Sequence, residues 1–281
     1  MLHPIRLRLI QLALLTATAL AIAQPAAASC SDPPDPEVDW SGCEKRKLSL
    51  RGNDLSNAVL SKAELGRSDL RETVLTDADL SEANLDGVAL DQADLSGANL
   101  AKAELNRASL EGANLAGADL TGAMLGRANL TDAVLADAKL EKAYLGRTVF
   151  AGADLSNSLL AKASAPRADF RGANLSGSDF SKSELGRAYL VEANLTGATL
   201  AHAYMAHADL RQAQLTDADL TEAVLYMARL EATDLSGTKG LTQHQLDEAC
   251  GDAATVLPDG LAAPGGWPCA LPPADDEEEA E

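Results

Sequence analysis

Aromatic residues are scarce, at 3% of the 281-residue chain. An interior built from large, variously shaped side chains is therefore excluded; the 46% hydrophobic content is mostly Ala and Leu, which suits a uniform, repetitive core. Histidine and cysteine number four each, with no C-x-x-C and no close His pairing, so a zinc site is not expected. Also missing are a phosphate-cradling Gly loop, a nucleophile elbow and nonapeptide Ca²⁺ loops. The chain is thus read as non-enzymatic, with no metal and no cofactor. Basic residues are outnumbered, 23 against 42 acidic, for a net charge of −19. Such a chain is soluble, is repelled by nucleic acid and anionic membrane, and suits a basic partner.

The one long apolar run lies at the N-terminus. Arg6 and Arg8 precede LIQLALLTATALAIA, and AQPAAAS follows: the basic, apolar and small-residue regions of a secretory signal. The run is short and Ala/Thr-rich for a membrane span. The signal region is read as residues 1–29, with the cleavage site at Ala28–Ser29, and the product as periplasmic or secreted. The alternative is a lipid anchor on Cys30, although Ala27 stands where such signals carry a larger aliphatic residue. After export four cysteines remain, Cys30 and Cys43 on one side of the central region, Cys250 and Cys269 on the other. An even count in an oxidising compartment fits two disulfides, and the short-loop pairings are Cys30–Cys43 and Cys250–Cys269.

Between these pairs, leucine recurs every five residues from Leu50 to Leu235. On an α-helix each such step turns a side chain by about 140°, so no apolar face forms. On a straight strand alternate leucines would point to opposite faces. The spacing works only if the chain turns after every five residues, which marks a solenoid. A second period sets the size of a coil. Arg67, Arg107, Arg127, Arg147, Arg167 and Arg187 are spaced by twenty or forty, as are Lys62, Lys102, Lys142, Lys162 and Lys182. Four pentapeptide sides therefore make one coil, and residues twenty apart stack. Leu points inward, joined by the small residue two places before it (Ala93, Ala98, Ala103, Ala108). At 165–180 the central residues are Ala165, Phe170, Leu175 and Phe180. One lost side chain accompanies two enlarged ones, as constant volume requires, and Phe150 is placed to stack on Phe170.

The units ANLAGADL, ANLSGSDF and ANLTGATL follow A-(D/N)-L-x-x, and residues 46–239 resemble the pentapeptide-repeat family. The resemblance implies an all-β, right-handed quadrilateral β-helix with four pentapeptides per coil. Residues 30–45, rich in Pro and Asp, are expected to form an N-terminal cap. Residues 240–271 are expected to form a C-terminal cap with Thr242 as N-cap, a short helix over 243–250 and Gly251 as its stop. Residues 272–281, ADDEEEAE in sequence at the end, are expected to be a disordered acidic tail. Family members of best-understood function are acidic DNA mimics that bind type II topoisomerases. This chain shares the acidity and departs in its export signal and paired cysteines.

Three functions remain open: a structural or protein-interaction solenoid of the envelope, an acidic mimic binding a topoisomerase or another basic protein, and a binder of anionic polysaccharide. The last rests on a candidate stripe. One side of the square is bracketed by the Lys and Arg columns, with His202 and His207 replacing the two cations in a later coil, and Glu64, Glu104, Tyr144, Glu184 and Tyr204 standing between. Stacked guanidinium groups suit an anionic polymer. The competing reading is a solvated ladder, since neighbouring like charges in water repel by only about 0.9 kcal/mol. Another side carries Asp54, Asp94, Asp154, Asn174 and Asn194. The partner and oligomeric state are not legible.

Overall fold

The computed structural model describes residues 29–269; the signal region 1–28, with Ala28 of the expected cleavage site, and residues 270–281, including the acidic tail, lie outside the described residues. Within it the chain winds in twenty-residue coils. Each side meets its successor by a parallel bridge, as in Glu104↔Met124↔Tyr144↔Ser164↔Glu184↔Tyr204, and a two-residue corner separates consecutive sides. The coil 101–120 defines the four sides: first 103–105, second 108–110, third 113–115 and fourth 118–120, each followed by its corner.

Backbone accounting explains the pentapeptide. Leu105 N–H donates to Met124 O at 2.7 Å in the next coil, and Glu104 N–H to Ala83 O at 2.9 Å in the previous one. Arg107 N–H donates to Gly126 O at 3.0 Å, while Ala108 N–H closes the corner onto Leu105 O at 3.1 Å. The fifth N–H, on the first corner residue, has no backbone acceptor. An Asp or Asn two places earlier supplies one: Thr121 N–H donates to Asp119 Oδ1 at 2.9 Å, and Ser96 N–H to Asp94 Oδ1 at 3.1 Å. The Asp/Asn of the repeat is thus a turn acceptor rather than mere surface polarity. The second corner residue has positive φ, near 58° at Arg107 and 69° at Gly97, as a turn of this hand requires.

Leu105, Leu110, Leu115 and Leu120 are fully buried with Ala103, Ala108, Ala113 and Ala118. Each buried Leu contributes about 1.5–3 kcal/mol. Phe150 stacks on Phe170, with centroids 5.0 Å apart and planes 1° from parallel. Phe170 meets Phe180 edge to face at 5.9 Å, where Ala165 leaves room. Hydroxyls in the small inward slot return to the backbone: Thr148 Oγ1 donates to Leu125 O at 2.7 Å and Ser178 Oγ to Leu175 O at 2.6 Å.

Both ends differ from the boundaries read in the sequence. The coil geometry starts at Pro36, ten residues before position 46, because Val38-Asp39-Trp40-Ser41-Gly42 keeps the register with Trp in the Leu slot. Trp40 is buried and donates through Nε1 to Asp32 O at 3.2 Å, and Lys45 Nζ lies 3.8 Å over its ring. Cys43 occupies a small inward slot and is bonded to Cys30, with Cα atoms 5.5 Å apart. At the other end the helix α1 spans Gln243–Glu248, with a capping box between Thr242 and Gln245. It stops before Cys250 because that residue is extended, donating to Ala228 O at 2.8 Å and accepting from Leu230 N–H at 2.6 Å. Gly251 does not stop the helix by a left-handed turn; its missing Cβ leaves room for Trp267, whose Nε1 donates to Ala249 O at 2.8 Å. Gln245 Nε2 donates to Leu220 O at 2.9 Å and Ala223 O at 2.8 Å, tying α1 to the last coils. Cys250 is bonded to Cys269, with Cα atoms 5.4 Å apart.

Candidate functional site: a cationic corner

The predicted stripe residues fall on two corners of the first side. Lys62, Lys102, Lys142, Lys162, Lys182 and His202 occupy the corner before it, and Arg67, Arg107, Arg127, Arg147, Arg167, Arg187 and His207 the corner after it. All stand at the positive-φ corner position. Lys47, overlooked in the sequence reading, starts the Arg column. The two histidines do not converge: His202 Nδ1 lies 3.2 Å from Glu222, and His207 meets the Tyr226 ring edge to face at 5.6 Å. Among the described residues no group of acidic, His or Cys side chains is arranged to hold a metal ion.

Both corners are poor in ion pairs. At the Lys corner Lys62 Nζ is 3.7 Å from Glu82, and among the described residues Lys102, Lys142, Lys162 and Lys182 have no carboxylate at salt-bridge distance. At the Arg corner, five arginines stack in consecutive coils from Arg107 to Arg187. Among the described residues, Arg107, Arg127, Arg147 and Arg187 have no carboxylate at salt-bridge distance. Arginines elsewhere behave otherwise. Arg71, Arg171 and Arg211 each grip an Asp with a two-pronged fork, Arg71 at 2.8 and 2.6 Å from Asp69. Arg46, Arg51 and Arg229 pair with Glu64, Glu72 and Glu231. The Asp69 carboxyl is accordingly held down to about 2, chiefly by the Arg71 hydrogen bonds.

Residues beside the Arg column explain the contrast. The first corner position carries Asn106, Gly126, Gly146, Pro166 and Gly186, all without charge. On the second side the nearest acid, Asp169, is already taken by Arg171, at 2.5 Å. The glycines have ordinary φ; their function is room. A Cβ on Gly126 would come within 2.9 Å of the Tyr144 ring, and one on Gly186 within 3.1 Å of Tyr204. The result is a depression of about 470 Å³ lined by Arg107, Arg127, Arg147 and Arg167, with Tyr144 at its centre and Asp86 at one end. The Asp86 carboxylate accepts from Asn106 N–H at 3.0 Å and Asn106 Nδ2 at 3.1 Å.

The four tyrosines of the chain all flank this column: Tyr144 and Tyr204 on the first side, Tyr226 at the corner, and Tyr189 on the second side. Each is about half exposed. Their positions modulo twenty were readable in the sequence and are the signal that the Lys/Arg stripe alone did not carry.

The acidic third and fourth sides are bound up with the backbone. Asn99, Asn114 and Asn174 donate through Nδ2 to Asp79, Asp94 and Asp154 one coil back, at 3.0, 2.9 and 2.9 Å. Asp54, Asp219 and Asp234 are held below the usual carboxylate range, Asp54 and Asp234 chiefly by the corner N–H they accept and Asp219 by the Thr221 hydroxyl.

Twenty-residue coils with four corners, an inward Leu and a turn-accepting Asp/Asn describe one known repeat, and eight copies of the pentapeptide-repeat pattern match between residues 54 and 237. The chain belongs to the pentapeptide-repeat family. Among solved pentapeptide-repeat structures, HetL from the cyanobacterium Nostoc sp. strain PCC 7120, a protein involved in heterocyst differentiation regulation, is 38% identical; the match covers 70% of this chain and 89% of HetL, with a TM-score of 0.50. The plasmid-mediated fluoroquinolone resistance protein QnrB1 is 16% identical over 66% of this chain and 88% of its own, with a TM-score of 0.49. No curated protein matches the chain by sequence. Family membership carries the repeat solenoid with it. Among the described residues no helix is long and apolar enough to cross a membrane.

Proposed function

We propose that the chain is an exported, non-enzymatic interaction solenoid of the bacterial envelope, wound right-handed as the family resemblance implies, with its end segments acting as caps. One observation carries the reading: each end of the solenoid is tied by a cystine, Cys30–Cys43 and Cys250–Cys269, behind an N-terminus of secretory pattern. Cystines persist in oxidising compartments and are rare in the cytoplasm. The Cys30 bond also favours a secreted over a lipid-anchored product, because an acylated Cys30 sulfur is not available to Cys43. A mimic of DNA that acts on a topoisomerase would have to meet its target in the cytoplasm, which the secretory pattern at the N-terminus opposes.

Fractionation of cells expressing the full chain, with thiol alkylation before lysis, tests this. The expected product begins at Ser29, lies outside the cytoplasm and takes up no alkylating reagent until it is reduced. A cytoplasmic, full-length chain with four reactive thiols would overturn the proposal and favour a cytoplasmic basic partner.

A further inference from the structure

The cationic corner holds an arrangement that stability does not explain. Five arginines of the column, Arg67, Arg107, Arg127, Arg147 and Arg187, lack a carboxylate partner among the described residues in a protein of net charge −19, while every described arginine outside this column has one. Stacking arginines in successive coils adds repulsion of about 0.9 kcal/mol per neighbouring pair in water. The adjoining corner position is kept free of charge by Gly126, Gly146 and Pro166, and the space holds Tyr144, 44% exposed.

We infer that this corner, from Arg107 to Arg187, is a binding site for a linear carboxylated polysaccharide, a polymer of uronic acid residues. Coils advance by about 4.8 Å, and the stacked rings of Phe150 and Phe170, 5.0 Å apart, follow the same step. An extended glycan advances by a similar distance per pyranose ring, so successive sugars meet successive coils. Five coils span about 19 Å between the outer arginines, the length of a short oligosaccharide. Carboxylate is the favoured anion because a guanidinium fork matches its two oxygens, the geometry this chain builds at Arg71–Asp69, Arg171–Asp169 and Arg211–Asp209. Sugar is the favoured scaffold because the exposed tyrosines cluster here: an aromatic face packs on the apolar face of a pyranose while its hydroxyl reaches a polar neighbour. A polymer of phosphate would use the charges and leave Tyr144 without a purpose on a glycine-cleared floor; single-stranded nucleic acid could stack a base on the ring, but it carries its charge on phosphates rather than carboxylates and meets a protein of net charge −19. The inference deepens the envelope reading and rests on it for where the ligand is met, not for whether the corner binds.

The test uses the purified mature chain and polygalacturonate at low salt, followed by titration calorimetry, with dextran, polyphosphate and single-stranded DNA as comparison probes. The expected result is saturable binding of polygalacturonate that weakens with salt, and none of dextran. Arg127→Gln with Arg147→Gln should weaken it at least about tenfold, and Arg127→Lys with Arg147→Lys should weaken it as well, since the fork is lost. Tyr144→Ala should weaken polygalacturonate binding selectively. Lys142→Gln with Lys162→Gln, on the other corner, should change it little; each variant is checked for unchanged β-rich circular dichroism. Absence of saturable binding, equal loss in the Lys and Arg pairs, or tighter binding of polyphosphate or of DNA, with or without a contribution from Tyr144, would overturn the inference. None of these outcomes depends on where the protein resides, so fractionation judges the envelope reading separately.

Discussion

At the scale of single residues, the small inward slot two places before each Leu shows how narrowly the core is specified. Ala fills it in most coils. Where Ser or Thr does, the hydroxyl is buried and needs an acceptor, which Thr148, Ser178 and Thr233 find in carbonyls of Leu125, Leu175 and Leu210. Ser183 is buried at 1% exposure, and its Oγ has no partner. The residues above and below it, Ala163 and Ala203, show that a methyl group fits the same place. Ser183→Ala should therefore stabilise the protein, by about 1 kcal/mol, because an unsatisfied buried hydroxyl is removed without opening a cavity. Ser178→Ala, which deletes a bond that is made, should be neutral or destabilising by a similar amount. Denaturant melts of the two variants against the parent check the contrast; a destabilised Ser183→Ala would show that its hydroxyl has an acceptor after all.

At the scale of the side and its corner, the order of the pentapeptide follows from which backbone groups the coil leaves over. The inward Leu and Ala were legible because burial imposes a strict period, and periods survive in one dimension. The Asp/Asn position was legible only as polar; its purpose, accepting the one N–H that no backbone carbonyl satisfies, appears when all five donors are counted. Helix α1 was visible through its N-cap Thr242, but its end at Glu248 was not, since Cys250 is claimed by the bridge to Arg229, 21 residues away along the chain. The partners of the arginines were hidden for a similar reason: Arg171 and Arg147 look alike in the sequence, and only the fold gives the first to Asp169. A pH dependence belongs to this scale. With the Asp69 carboxyl at about 2 when folded and 3.8 as its ordinary value, the unfolded chain binds the proton first as acid is added. The stability due to the Arg71–Asp69 fork is thus complete above about pH 4 and is lost as pH falls toward 2. Thermal melts from pH 5 to 2 should show a steeper fall for the parent than for Asp69→Asn, and identical slopes would refute the assignment.

At the scale of the whole molecule, a repeat solenoid differs from a globular domain in where its stability is limited. Each interior coil meets only its two neighbours, and those contacts are nearly the same from coil to coil, so unfolding begins where a neighbour is missing. Both termini here are reinforced. At one, Cys30–Cys43 holds the segment whose Asp32 carbonyl accepts from the buried Trp40; at the other, Cys250–Cys269 holds Trp267 against Gly251, next to α1. Closing loops of 13 and 19 residues lowers the entropy of the unfolded ends, worth about 3 kcal/mol each in a chain-entropy estimate. The stabilisation is local, because no bond crosses the middle coils. Reduction should therefore raise amide hydrogen exchange in the first coil, residues 36–55, and beyond residue 225, and leave the coils around Phe150, Phe170 and Phe180 protected. Exchange mapped with and without reductant distinguishes this from the alternative, in which the array unfolds as one unit and protection falls evenly along its length. The distinction bears on the cationic corner as well. Arg127 and Arg147 lie in the interior coils, more than three coils from the described end at Ser29, so the corner should keep its spacing, and its affinity for polygalacturonate, after the ends have begun to fray.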